Sequence, residues 1–160
     1  MDSRLIGAWS LISFTRTDIT SGVLTYPYGF DAQGSIIYSP DGIVSYQLCA
    51  ANRATFQSGS FENGSPEELA AAALSFRSYV AHWTTDPLTN IVSHSVFLSI
   101  HANRVGVTLE RQFFFEDYEF EGKTTQHLIL IPVSSSGSTN TDIIQEKLTW
   151  ARVSAPPTTK

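Results

Sequence analysis

Five polar side chains in this sequence sit on runs in which every second residue is apolar. From 105 to 115 the odd positions read Val105, Val107, Leu109, Arg111, Phe113 and Phe115, while the even ones include Thr108, Glu110 and Gln112. From 92 to 100 the even positions read Val92, His94, Val96, Leu98 and Ile100, opposite Ser93, Ser95, Phe97 and Ser99. Ile36, Tyr38, Val44, Tyr46 and Leu48 share one face of a hairpin, and Ile144, Glu146, Leu148 and Trp150 share another face near the end of the chain. Successive side chains of a strand point to opposite sides, so Arg111, His94, Glu146, Tyr38 and Tyr46 all belong to apolar faces. A guanidinium in that position has to be paired or has to face a polar ligand, because an isolated buried charge is costly. Together these groups can polarise a carbonyl or stabilise an enolate (Arg111), move a proton (His94 or Glu146) and donate a hydrogen bond (Tyr38 or Tyr46). Trp83, Phe113, Leu98, Leu109 and Trp150 complete the candidate ligand-binding wall.

Each group also has a plainer explanation. Arg111 and Glu146 can pair as a structural bridge, His94 can be a satisfied core histidine, and the tyrosines can pack with their hydroxyls at a rim. Other chemistries find less support. The histidines His82, His94, His101 and His127 show no HExxH or i,i+4 spacing, so no metal site is expected. There is no GxSxG elbow, no P-loop and no GxGxxG ahead of a helix, and no cofactor is expected. Cys49 alone reads as a small inert residue at a strand end.

The elements that must position these groups follow from turn signals and periodicity. Strands are expected near 5–16, 23–27, 34–39, 43–49, 83–86, 91–101, 105–116, 124–132 and 144–153. Ser39-Pro40-Asp41-Gly42 is a tight turn, since Pro presets one backbone angle and Gly accepts a positive φ. Ser65-Pro66-Glu67-Glu68 is a capping box with Pro at the first helical position. Leu69, Ala72, Ala73, Phe76, Val80 and Trp83 then recur at spacings of three and four, which predicts an amphipathic helix of about four turns, ending at Trp83 and capping a barrel mouth, with Arg77 or Tyr79 toward the entrance. Ser134 to Asp142 reads as a mobile polar hairpin loop, and 154–160 as a disordered tail after a domain spanning 1–153.

With 160 residues, 42% hydrophobic, 12% aromatic and only 16% charged, the chain has the makings of one domain with a substantial core. About nine short strands with one helix close most economically into an all-β antiparallel barrel with one inserted α-helix, a fold that can hold one small ligand. The net charge of −5 argues against a nucleic-acid partner. No apolar run approaches the roughly 18 residues of a membrane span. A single cysteine and the lack of a basic leader before Leu5 to Phe14 point to a reducing, cytoplasmic setting.

Leu5-Ile6-Gly7-Ala8-Trp9 and Leu148-Thr149-Trp150-Ala151-Arg152 are similar to the calycin pattern, in which a first-strand Trp packs near a late Arg to close one barrel end. Tyr26-Pro27-Tyr28-Gly29, Ile37-Tyr38-Ser39-Pro40-Asp41-Gly42, Glu67-Glu68-Leu69 and Val92-Ser93-His94 running on to Asn103-Arg104-Val105-Gly106 make nearly the whole chain resemble the lipocalin-like domain family of small microbial proteins. The resemblance implies an up-and-down lipocalin-type barrel and a setting in secondary-metabolite biosynthesis, where related barrels serve as cofactor-free cyclases and isomerases. His94 and Arg111 match positions where that family tends to carry His and Arg; Glu146 falls where small polar residues are commoner, and Arg104 replaces an aromatic residue. The leading expectation is therefore a cofactor-independent isomerase or cyclase acting on an apolar polyketide- or terpenoid-like intermediate. Two alternatives stand beside it: a non-catalytic carrier of the same small apolar metabolite, and an interaction protein, for instance a homodimer, that uses an exposed sheet edge and would have a filled barrel.

Overall fold

The structure, a computed structural model, describes residues 1–133 and 144–154. The expected loop from Ser134 to Asp142, and the tail beyond Ser154, lie outside the described residues. The strands are β1 (Gly7–Asp18), β2 (Leu24–Thr25), β3 (Gln33–Tyr38), β4 (Ile43–Cys49), β5 (Phe76–Asp86), β6 (Ile91–Ser99), β7 (Thr108–Phe120), β8 (Lys123–Pro132) and β9 (Ile144–Arg152). One α-helix, α1 (Pro66–Leu74), interrupts them between β4 and β5. Neighbouring strands pair antiparallel in the order β2-β1-β3-β4-β5-β6-β7-β8-β9, and β1 also pairs with β9. That last ladder closes β1 and β3 to β9 into an eight-stranded barrel, leaving the two-residue β2 as a flank on β1. Closure pairs the strands around the barrel, while β2 and the far half of β7, which pairs only with β8 beyond Gln112, each keep one free edge among the described residues.

Alternation places the core as expected. Trp9, Phe14, Ile36, Tyr38, Val44, Leu48, Tyr79, Trp83, Val92, Phe113, Leu128, Leu130 and Trp150 fill the interior. The hairpin turn after β3 forms as its residues require, with Gly42 at φ +83° and its N–H donating to the Ser39 carbonyl. One barrel end is plugged. Leu5, on a 3₁₀ turn, is fully buried, and the Trp9 Nε1 donates to its carbonyl at 2.9 Å. Arg152 lies 4.0 Å over the Trp9 ring and donates to the carbonyls of Ile6 and Arg4 and to Gln126 Oε1. Gly7, at φ +126°, leaves room for this guanidinium, since a Cβ there would stand 3.1 Å from Arg152 Nη1. The pairing of a first-strand Trp with a late Arg is thus present in full.

The helix needs correction. Its capping box forms, with Ser65 and Glu68 satisfying each other's backbone N–H groups, but α1 stops at Leu74 and buries none of its residues. Residues 76–86, expected to be helix as far as Trp83, are strand β5. The physical reason is a competing period of two: Tyr79, Ala81 and Trp83 are buried on one face while His82 and Thr84 are exposed. Aromatic and β-branched residues suit a pleated surface, and pairing on both sides, to β4 and β6, overrides the helical spacing. Smaller boundary corrections also apply: β7 begins at Thr108 rather than 105 because a 3₁₀ turn occupies Ala102–Arg104, and it runs on to Phe120 in a long hairpin with β8.

Candidate functional site

The end opposite the Trp9–Arg152 plug is where polar chemistry collects. A cavity of about 30 Å³ opens there, lined by Phe14, Tyr46, Arg77, Tyr79, Arg104, Arg111, Leu130, Pro132, Glu146 and Leu148. This is space for roughly one or two waters, so a larger guest enters by displacing side chains. The long arginines are the lining groups best able to swing outward.

Of the residues singled out from sequence, Arg111, Glu146 and Tyr46 meet at this cavity. Arg111 is half-buried on the inner face of β7, opposite Val92 of β6, and makes no ion pair among the described residues. The alternative of an Arg111–Glu146 bridge is overturned. Glu146 Oε1 lies 2.6 Å from Arg16 Nη2 and 2.7 Å from Arg16 Nε, because these residues are direct cross-strand partners on β1 and β9. Arg77 is also engaged: its Nε donates to the Tyr28 hydroxyl at 2.8 Å, and its guanidinium lies over the Tyr28 ring.

His94 and Tyr38 are in the core behind the cavity. His94 is 0% exposed and is held between two phenols, with Tyr38 Oη 3.0 Å from Nε2 and Tyr79 Oη 2.8 Å from Nδ1. Burial, reinforced by the nearby Arg111 charge, holds the imidazole well below its ordinary range, so it is neutral. Burial likewise pushes the Tyr38 and Tyr46 phenols up. The same force acts on Tyr79, opposed by the Arg111 and Arg104 charges and a polar contact from Arg111. Tyr79 connects the buried histidine to the cavity, and it also stacks on its cross-strand partner Tyr46, with ring centroids 4.8 Å apart.

The remaining wall residues divide. Trp83, Phe113 and Trp150 are core, and Leu109 packs partly buried against it. Trp150 meets Tyr46 edge-on, and its Nε1 is the one buried side-chain polar atom without a hydrogen-bond partner among the described residues. Leu98 is a correction: it is 59% exposed, not on the inner wall. The β6–β7 ladder ends at Ser95 and Thr108, and a bulge shifts the β5–β6 register between Val80 and Ala81, so Leu98 stands beyond the enclosed part of the barrel.

Strand parity alone does not assign Phe14, Arg16, Arg77 and Tyr79 to the site, nor the lining residues Arg104, Leu130 and Pro132. Phe14 and Arg16 take the inward face only because β1 bulges between Leu11 and Ser13, which reverses the alternation that starts from Trp9; Arg77 and Tyr79, expected toward an entrance, lie there on a strand rather than a helix. Two larger hollows lie outside the barrel, of about 410 and 460 Å³, on either side of α1. Arg53 bridges the first of them to the C-terminal end of the helix, donating to the Ala72 carbonyl and to Ser75 Oγ at 3.1 Å each. Among the described residues no His, Cys, Asp and Glu group could hold a metal ion, and no helix is long and apolar enough to cross a membrane.

A closed antiparallel barrel with one plugged end, and with a polar-edged cavity at the other, defines the calycin class of small-molecule-binding barrels. The model of the lipocalin-like domain family matches residues 6–153, and the chain belongs to that family. No curated protein matches the sequence.

Proposed function

We propose that this barrel binds an apolar, oxygen-bearing small molecule at its open end and acts on it as a cofactor-independent isomerase or cyclase, its substrate a polyketide- or terpenoid-like intermediate of secondary metabolism. The observation that carries the binding reading is the cavity itself, where Phe14, Leu130 and Leu148 supply apolar wall and Arg111, Tyr79 and Glu146 supply polar groups at one mouth. Ligand sites combine these two features.

In the catalytic form of the reading, apolar walls hold a folded substrate conformer close to attack geometry, which lowers the barrier entropically. Arg111 and Tyr79 polarise a carbonyl and carry the charge of an enolate as it develops. Glu146, whose carboxylate is held at the cavity by Arg16, is the group placed to take or return a proton. His94 acts through Tyr79. A carrier function is favoured by one specific observation: both ring nitrogens of His94 are engaged in the core, which removes a proton-moving group from direct contact with the guest.

Turnover separates the two. Purified protein incubated with a linear polyketide or terpenoid precursor, with products resolved by chromatography, accelerates the reaction or changes its stereochemical outcome if the barrel is an enzyme. An unchanged spontaneous rate and product pattern, with binding retained, leaves the carrier. Arg111→Ala is expected to cut the rate by about a hundredfold or more, the scale of losing one oxyanion donor.

A further inference from the structure

A neutral imidazole has one N–H and one bare nitrogen, so the two phenols on His94 have different parts. With the proton on Nε2, that N–H donates to Tyr38 Oη, and the Tyr38 O–H, 1% exposed and bonded to nothing else among the described residues, has no acceptor. With the proton on Nδ1, Tyr38 donates to Nε2, Nδ1–H donates to Tyr79 Oη, and the Tyr79 O–H is left for the cavity that Tyr79 lines. Leaving a buried donor unmet costs more than a typical hydrogen bond gains; only the second arrangement puts the spare O–H in the cavity, where a water or a ligand can accept it, and that selects it.

The rest of the cavity has the same bias. Arg77, Arg104 and Arg111 bring only donors, and Glu146, the one lining carboxylate, has its Oε1 on Arg16, so cationic donors are in excess around the mouth. We infer that the mouth takes an acceptor-only ligand oxygen, that of an enolate, phenolate or carboxylate, to which the Tyr79 hydroxyl and Arg111 donate, with His94 as a positioning residue that fixes the direction of the Tyr79 bond. This rests on the small-molecule reading above and narrows it to a ligand class.

The test compares p-nitrophenolate with p-nitroaniline, two probes of similar shape whose head groups accept and donate respectively. Each is titrated into the full chain at pH 8 by calorimetry, and the His94 tautomer is read in the unliganded protein by long-range ¹H–¹⁵N correlation. The phenolate is expected to bind at least about tenfold more tightly, with Tyr79→Phe removing about tenfold of its affinity and little of the amine's. His94 is expected to show a protonated Nδ1 and a bare Nε2, a readout on the wild-type chain that does not depend on any variant folding. Equal affinities, or a protonated Nε2, overturn this inference while leaving the binding reading in place; no binding of either probe overturns both.

Discussion

His94 and Glu146 were both found by strand parity, and parity placed each on the correct face. Their partners were less legible. Glu146 pairs with Arg16, 130 residues away in sequence, because β1 and β9 close the barrel, and no local pattern announces that register. The Tyr38–His94–Tyr79 network likewise joins three strands. Its burial has a consequence for stability. The folded chain holds His94 neutral, while the unfolded chain takes up a proton below about pH 6.5, so below that value the unfolded state binds more protons and stability falls as pH falls. This residue alone should contribute a slope of about 1.4 kcal/mol per pH unit between pH 6.5 and its lowered folded value. Denaturant titrations from pH 7 to 5 check it, comparing wild type with His94→Gln. Loss of one proton's worth of slope in the variant is the expected outcome; equal slopes would show that His94 is not protonated on unfolding. Glu146→Gln leaves the half-buried Arg16 without its charge partner, and a loss of about 1 kcal/mol is expected from calorimetry, modest because both side chains still reach solvent.

At the scale of elements, the turn at Ser39–Gly42 and the capping box at Ser65–Glu68 were readable because each is a local arrangement with a local physical cause. Residues 76–83 carry two patterns at once: Phe76, Val80 and Trp83 satisfy a helical period while Tyr79, Ala81 and Trp83 satisfy a strand period. Only pairing to β4 and β6 decides between the two. The short helix that remains buries no residue, so its cap supports local order rather than the fold. Ser65→Ala is therefore expected to cost about 1 kcal/mol locally, raising amide exchange in residues 66–74 several-fold while the global unfolding midpoint moves little. A midpoint shift as large as that from a core substitution would mean that α1 is part of the cooperative unit.

On the scale of the whole molecule, the aromatic-rich, charge-poor composition announces large side chains around a core or pocket, the succession of short strands announces a barrel, and residues at the two chain ends announce how it closes. The closed end depends on Arg152, which lies on the Trp9 ring and holds the carbonyls of Ile6 and Arg4. Arg152→Ala is expected to lower stability by about 2 kcal/mol, the sum of a cation–π contact and charged hydrogen bonds, without altering ligand binding at the opposite mouth. Composition could not show how little space the aromatic side chains leave, since cavity volume depends on rotamers packed across eight strands. The interior cavity is smaller than either hollow beside α1, so the location of binding decides between barrel mouth and helix flank. A ¹H–¹⁵N chemical-shift titration with p-nitrophenolate locates it directly. Saturable shifts centred on Tyr46, Tyr79, Arg111 and Leu130 are the predicted result; shifts confined to Ala50–Phe56 and Ala71–Ser75 would contradict it.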